Sequence, residues 1–241
     1  MALKCSGCIG INPPLFEETL KLQEAILRCR HPRTLLTVAN LGVNYKDARR
    51  LTEALPLLEE SYRASKAHPS VRCVGQALLD GYVQAGKTME AAMLVTEFLA
   101  DARTGLPKDS PQLARVFVQF ALILLDVNEY ADAAPILREC LAIREKQQPD
   151  AWTTFNTKSL LGEALLGQKK YADAETLLLT GYEGMKQREK TIPPLGKDRP
   201  PKALNRLVEL YTAMNKPEEV KKWQAERAKY PVIAPMPREK K

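Results

Sequence analysis

Four segments of this chain share one pattern: an acidic residue, an alanine, two variable residues and then apolar residues. They are EALPLLEE (Glu53 to Glu60), EAAMLVTE (Glu90 to Glu97), DAAPILRE (Asp132 to Glu139) and DAETLLLT (Asp173 to Thr180). A pattern that recurs at a fixed interval constrains the fold more tightly than any single motif, because each copy must form the same supersecondary unit. The alanines Ala54, Ala91, Ala133 and Ala174 stand 37, 42 and 41 residues apart, and a weaker copy, EEVKKW, places Val220 another 46 on.

A second matching segment lies upstream of each: LGVNY (Leu41 to Tyr45), LLDGY (Leu78 to Tyr82), FALIL (Phe120 to Leu124), LGEAL (Leu161 to Leu165) and LVELY (Leu207 to Tyr211). Apolar residues recur at i, i+4 there, and at i, i+3, i+4 in the alanine segments, which predicts amphipathic helices in pairs. The breakers AGK (Ala85 to Lys87), VNE (Val127 to Glu129) and GQKK (Gly167 to Lys170) separate the two helices. Prolines at 32, 69, 111, 149 and 200 mark the start of each first helix, where a missing N–H costs nothing. The alanine has a steric reason: at a close helix crossing only a small side chain lets the backbones approach.

A small residue and Tyr on one helix, then Ala and Leu on the next, resembles the tetratricopeptide repeat. The period of about 42 residues, and HPRTLLTVANLGVNYKDARRLTEALPLLEESY (His31 to Tyr62), resemble its kinesin-light-chain-like variety. The stretch LRECLAIREKQQPDAWTTFNTKSLLGEALLGQKKYADAETLLLTGYEGMKQRE (Leu137 to Glu189) is similar to repeat arrays C-terminal to the kinase domain of large bacterial serine/threonine protein kinases. The resemblance implies an all-α fold, a right-handed α-solenoid of about five helix pairs over residues 15–230. It opens with half a repeat at 15–30, followed by pairs starting near 32, 69, 111, 150 and 200. Residues 1–14 belong to no repeat and 231–241 form a basic tail, both expected to be flexible.

Candidate chemistry is sparse. No Gly-rich phosphate loop, Val-Ala-Ile-Lys, His-Arg-Asp or Asp-Phe-Gly occurs, which argues against phosphoryl transfer. His31 and His68 both sit in His-Pro pairs at repeat starts, positions that suit a turn or cap better than a general base. Cys5 and Cys8 have the spacing of half a zinc site without its other half, and five cysteines in no framework read as reduced thiols. The expectation is a protein that is not an enzyme and uses no cofactor and no metal. No apolar run is long enough to span a bilayer, and the N-terminus lacks a secretory signal, so a cytoplasmic location with no membrane contact is expected.

The net charge of +7 is unevenly placed: residues 1–181 hold 21 Lys+Arg against 21 Asp+Glu, and residues 182–241 hold 15 against 8. That basic quarter admits a nucleic-acid-associated module as a minor alternative, weakened by the lack of interleaved aromatics for base stacking. Trp223 and Tyr230 read instead as the apolar face of a capping helix. The leading expectation is a protein-interaction scaffold that binds a peptide or helix in a concave groove lined by the first helices. Counting from the Leu and Tyr anchors, the groove positions are Asn40, Val43, Gln76, Asp80, Arg115, Gln119, Asn156, Ser159, Asn205 and Arg206. The kinase resemblance leaves a second expectation open, a regulatory or substrate-recruiting fragment of such a kinase without its catalytic domain.

Overall fold

The computed structural model describes residues 13–27, 31–65 and 74–230. The chain divides into two compact units, Met1–Val95 and Thr96–Lys241. The first contains α1 (Pro13–Leu27), α2 (Pro32–Asp47), α3 (Leu51–Ser65), α4 (Val74–Gln84) and the start of α5 (Thr88–Gly105). The second contains the rest of α5, then α6 (Pro111–Asp126), α7 (Tyr130–Gln147), α8 (Trp152–Gly167), α9 (Tyr171–Gln187), α10 (Arg199–Ala213) and α11 (Pro217–Arg227). Two short 3-10 turns, Glu189–Thr191 and Pro194–Gly196, separate α9 from α10. Among the described residues every regular element is helical, and each repeat segment falls on the helix expected of it.

Five turns join the helix pairs in one way. The second residue after each first helix, Arg49, Gly86, Asn128, Lys169 or Asn215, takes a positive φ between 55° and 68°. The next N–H then reaches back to the third-last carbonyl of the helix: Arg50 to Tyr45, Lys87 to Tyr82, Glu129 to Leu124, Lys170 to Leu165 and Lys216 to Tyr211, all at 2.8–2.9 Å. This is a Schellman closure, which satisfies carbonyls that a helix end leaves orphaned. Where the contacted residue is a tyrosine, the residue donating to it is a cation stacked on its ring: Arg50 at 4.3 Å from Tyr45, Lys87 at 5.7 Å from Tyr82 and Lys216 at 5.5 Å from Tyr211. The N–H groups of Ala54, Ala91, Ala133, Ala174 and Val220 open the second helices by bonding to the residue that ends each turn.

The helix starts are capped more variably. His31 caps α2, its Nδ1 accepting from the Arg33 N–H at 3.2 Å, and Ser110 Oγ caps α6 by accepting from Leu113 N–H at 3.2 Å. Pro32 and Pro111 are the first residues of their helices, Pro200 lies in the first turn of α10, and Pro149 stands three residues ahead of α8. Pro69 and His68, like Cys5, Cys8, residues 1–12 and residues 231–241, lie outside the described residues, whereas Pro13 and Pro14, placed by the sequence ahead of the half repeat, open α1.

In the first unit α3 packs on α2 and α4, with Leu35, Leu41, Leu58, Leu79 and Ala54 in the core. Gly42 sits where a Cβ would meet Leu58 Cγ at 2.9 Å, so the small residue of the first helix matters as much as the alanine of the second. The hydroxyl of Tyr45 donates to Glu17 on α1, and that of Tyr82 donates to Glu59 on α3 at 3.0 Å. Burial, reinforced by the Glu59 carboxylate, pushes the Tyr82 phenol up to about 12.

In the second unit Phe117, Leu124, Leu137, Leu160, Leu178, Met185 and Leu207 form the core, and Ala133 and Ala174 are completely buried at their crossings. Gly181 brings α9 into backbone contact with α8. Tyr182 closes the end of this core against Trp223, ring edge to face with centroids 5.7 Å apart. Tyr230, expected on the same helix face, lies beyond the end of α11 and is half-buried.

One carboxylate fastens α11 to α9. Glu226 accepts from Lys186 Nζ at 2.5 Å, Lys229 Nζ at 2.5 Å and the Tyr182 hydroxyl at 2.8 Å. These donors, Lys186 foremost, hold its carboxyl down to about 2. Its folded value lies below the unfolded one, so its stabilisation is complete above the ordinary carboxylate range and is lost as pH falls from about 4.5 toward about 2. The melting temperature of the wild type should therefore exceed that of Glu226→Gln at pH 6 and converge on it near pH 2. A difference independent of pH across that window would show that the carboxylate charge contributes nothing.

Candidate functional site

First helices of successive pairs lie side by side within each unit: α2 beside α4 in the first, and α6, α8 and α10 in the second. The ten positions derived from the repeat register fall on these helices but differ in what surrounds them. In the first unit Asn40 and Val43 are half-buried, and Asn40 also uses its carbonyl to accept from Asn44 Nδ2 at 2.8 Å. Gln76 is exposed and donates to Asp80 at 3.1 Å, while Asp80 faces Lys46 Nζ of α2 at 3.9 Å. Lys46, absent from the sequence-derived set, is buried and links the two first helices electrostatically.

The second unit holds the less expected arrangement. Arg115 and Gln119 are exposed on α6, but α8 buries four polar residues, Thr154, Asn156, Thr157 and Ser159. Three of them are partnered. Thr154 Oγ1 donates to Gln148 O at 2.6 Å, Thr157 Oγ1 donates to Thr153 O at 2.9 Å and Ser159 Oγ accepts from Arg206 Nη1 at 3.2 Å. Arg206 is 7% exposed and its Nε donates to Glu163 Oε2 at 2.6 Å, so Ser159 and Arg206 join α8 to α10 and are not open to solvent. Asn205 is exposed and turned toward α11, where it accepts from Arg227 Nε at 3.0 Å.

Asn156 is 5% exposed and its carbonyl oxygen Oδ1 has no hydrogen-bond partner. A buried amide oxygen left unpaired costs on the order of 1–3 kcal/mol unless something donates to it. It shares its helix face with Ser159 and Glu163, three and seven residues on, and this face borders α10. Acidic side chains gather here as well. Burial and the neighbouring Glu163 push the carboxyl of Glu209 above its ordinary range. Glu163 was invisible as a site residue until the fold placed it against Arg206, 43 residues on, which is close to one repeat period.

The basic C-terminal quarter is largely matched with acids. Lys186 and Lys229 meet Glu226, Arg188 meets Asp150, Lys221 meets Glu218 and Lys222 meets Glu219. Among the described residues no helix is long and apolar enough to cross a membrane.

A family model described as tetratricopeptide repeat matches residues 34–68 and 113–146, the segments that carry α2–α3 and α6–α7. Solved structures share the fold. A Podosopora anserina protein of nearly identical TPR-like repeats, named for kinesin light chain, superposes with a TM-score of 0.60 at 18% identity, covering 83% of this chain and 95% of that one. The fold is a tetratricopeptide solenoid. BtubC (BKLC) from P. vanneervenii is similar as well, with a TM-score of 0.56 at 13% identity over 90% of this chain and 87% of its own. A search of curated proteins found no match. Tetratricopeptide arrays are in general protein-interaction scaffolds.

Proposed function

We propose that the second unit binds an extended segment of a partner protein along the face of α6, α8 and α10, with Asn156 as its main-chain anchor. The unpaired, buried Oδ1 of Asn156 is the observation that carries this reading, because a ligand backbone N–H supplies the donor it lacks. Arg115 and Gln119 extend the face on α6, and the Ser159–Arg206–Glu163 network holds α8 and α10 in register beside it. Asn40, Val43, Gln76 and Asp80 offer a second stretch of the same kind on the first unit. The partner is a protein or peptide, and no cofactor enters the reading. Resemblance to kinase-associated arrays, resting on Leu137 to Glu189, supports a second reading, a regulatory or substrate-recruiting fragment of a bacterial serine/threonine protein kinase without its catalytic domain.

A peptide selected from a random display library against the intact chain tests the assignment. Asn156→Ala should weaken its binding by about 1 kcal/mol, roughly five-fold, while leaving the melting temperature unchanged or slightly raised. The stability expectation follows because the substitution removes a buried group that has no partner. Unchanged affinity together with a lowered melting temperature would make Asn156 a structural residue.

A further inference from the structure

A cavity of about 120 Å³ opens in the second unit between the start of α6, the last turns of α7 and the start of α8. Its polar wall is made by Arg115, Arg144, Gln147, Gln148 and Thr153. Arg144 is half-buried, and its Nη1 donates to two neutral oxygens, Thr153 O at 2.5 Å and Thr157 Oγ1 at 2.6 Å. The carboxylates nearby serve other cations: Glu139 pairs with Arg103, Asp109 with Lys146 and Glu145 with Lys158. Among the described residues neither Arg144 nor Arg115 has an acidic partner. Burial lowers the Arg144 guanidinium below its ordinary range, with Cys140 opposing that lowering and the positive charge of Arg115 adding to it. The two guanidinium charges therefore repel each other. The Thr153 hydroxyl, on the same wall, is a buried oxygen with no hydrogen-bond partner.

We infer that this cavity binds a tetrahedral dianion of the phosphate class, held by the guanidinium groups of Arg115 and Arg144 and by the hydroxyl of Thr153. A dianion can engage both guanidinium groups at once, whereas a single carboxylate carries only one negative charge to share between them. Arginine forks and a hydroxyl donor suit phosphoryl oxygens, and the side-chain amides of Gln147 and Gln148 add donors from the α7 side. The cavity has room for one such group. Inorganic phosphate and a phosphorylated serine or threonine present the same chemistry. The cavity shares Arg115 with the proposed peptide face, whereas Arg144 and Thr153 belong to the cavity alone, so Thr153→Val separates the phosphate site from the peptide reading.

Calorimetric titration of the intact chain with inorganic phosphate, at ionic strength fixed with sodium chloride, tests it. The expected result is saturable binding and a melting temperature that rises with phosphate concentration. Arg115→Ala, at an exposed position that leaves the fold intact, should weaken binding about ten-fold or more, and Thr153→Val about three- to ten-fold. Acetate at the same concentration should bind at least ten-fold more weakly, on the order of one charge-assisted contact. A phosphoserine peptide compared with its serine counterpart assigns the source. A large preference for the phosphopeptide over free phosphate supports a peptide-borne group, and equal affinity supports the free ion, both sustaining the site. No saturable phosphate binding, acetate binding as tightly, or unchanged affinity in both variants would overturn it.

Discussion

Gly181→Ala should destabilise the second unit by about 3 kcal/mol, a drop of roughly 6–12 °C in melting temperature for a unit of this size. Two effects oppose each other. Alanine favours a helix interior over glycine by about 1 kcal/mol. Against this, a Cβ at Gly181 would lie 2.7 Å from Ser159 N and 2.9 Å from Phe155 O, both backbone atoms of α8. Backbone inside a helix cannot rotate aside as a side chain can, so α8 and α9 must move apart and open the core around Leu160 and Leu178. Gly105→Ala is the matched control, because a Cβ there meets nothing within 4 Å. Thermal melts of both variants should separate clearly, and equal melting temperatures would mean that the two helices do not approach so closely.

Trp223→Ala should be comparably costly, about 3–5 kcal/mol, but local. Trp223 is 6% exposed and is the only buried residue of α11 among those described. Removing it leaves the Tyr182 ring without its edge-to-face neighbour and the Glu219 carboxylate without the indole N–H it accepts at 3.1 Å. Each helix pair contacts mainly its neighbours, so the loss should fall on α11 and the end of α9. Hydrogen exchange should show α11 amides losing protection by roughly 100-fold, as about 3 kcal/mol requires, with α6 and α7 nearly unchanged. Equal loss throughout the unit would indicate global cooperativity in place of neighbour-by-neighbour stability.

The pairs were legible because their signal is steric and periodic. Ala54, Ala91, Ala133 and Ala174 must be small, recur at intervals of 37, 42 and 41 residues and are completely buried. The turns were legible in position but only partly in geometry. Gly86, Asn128 and Asn215 tolerate positive φ, whereas nothing in the side chains of Arg49 or Lys169 announces it; the shared register of the five turns does. The candidate face was legible least. Register placed Ser159 and Arg206 on the first helices, but it carries no information about pairing across the seam, and Glu163 takes Arg206 into the interior. Thr153 and Arg144 escaped notice for the same reason: one opens α8 and the other lies late in α7, and only the packing of α7 on α8 brings them onto one cavity wall.

A partner's main chain seated on the first-helix face around Asn156 must perturb its carboxamide. Nuclear magnetic resonance of the side-chain amides, followed while a selected peptide is added, tests it most directly. The Asn156 carboxamide should shift strongly and saturably with peptide, together with backbone amides of α8 and α10, while Lys221 and Lys222 on α11 stay still. Shifts centred on Lys221 and Lys222 with an unmoved Asn156 would contradict it and assign binding to the basic C-terminal surface.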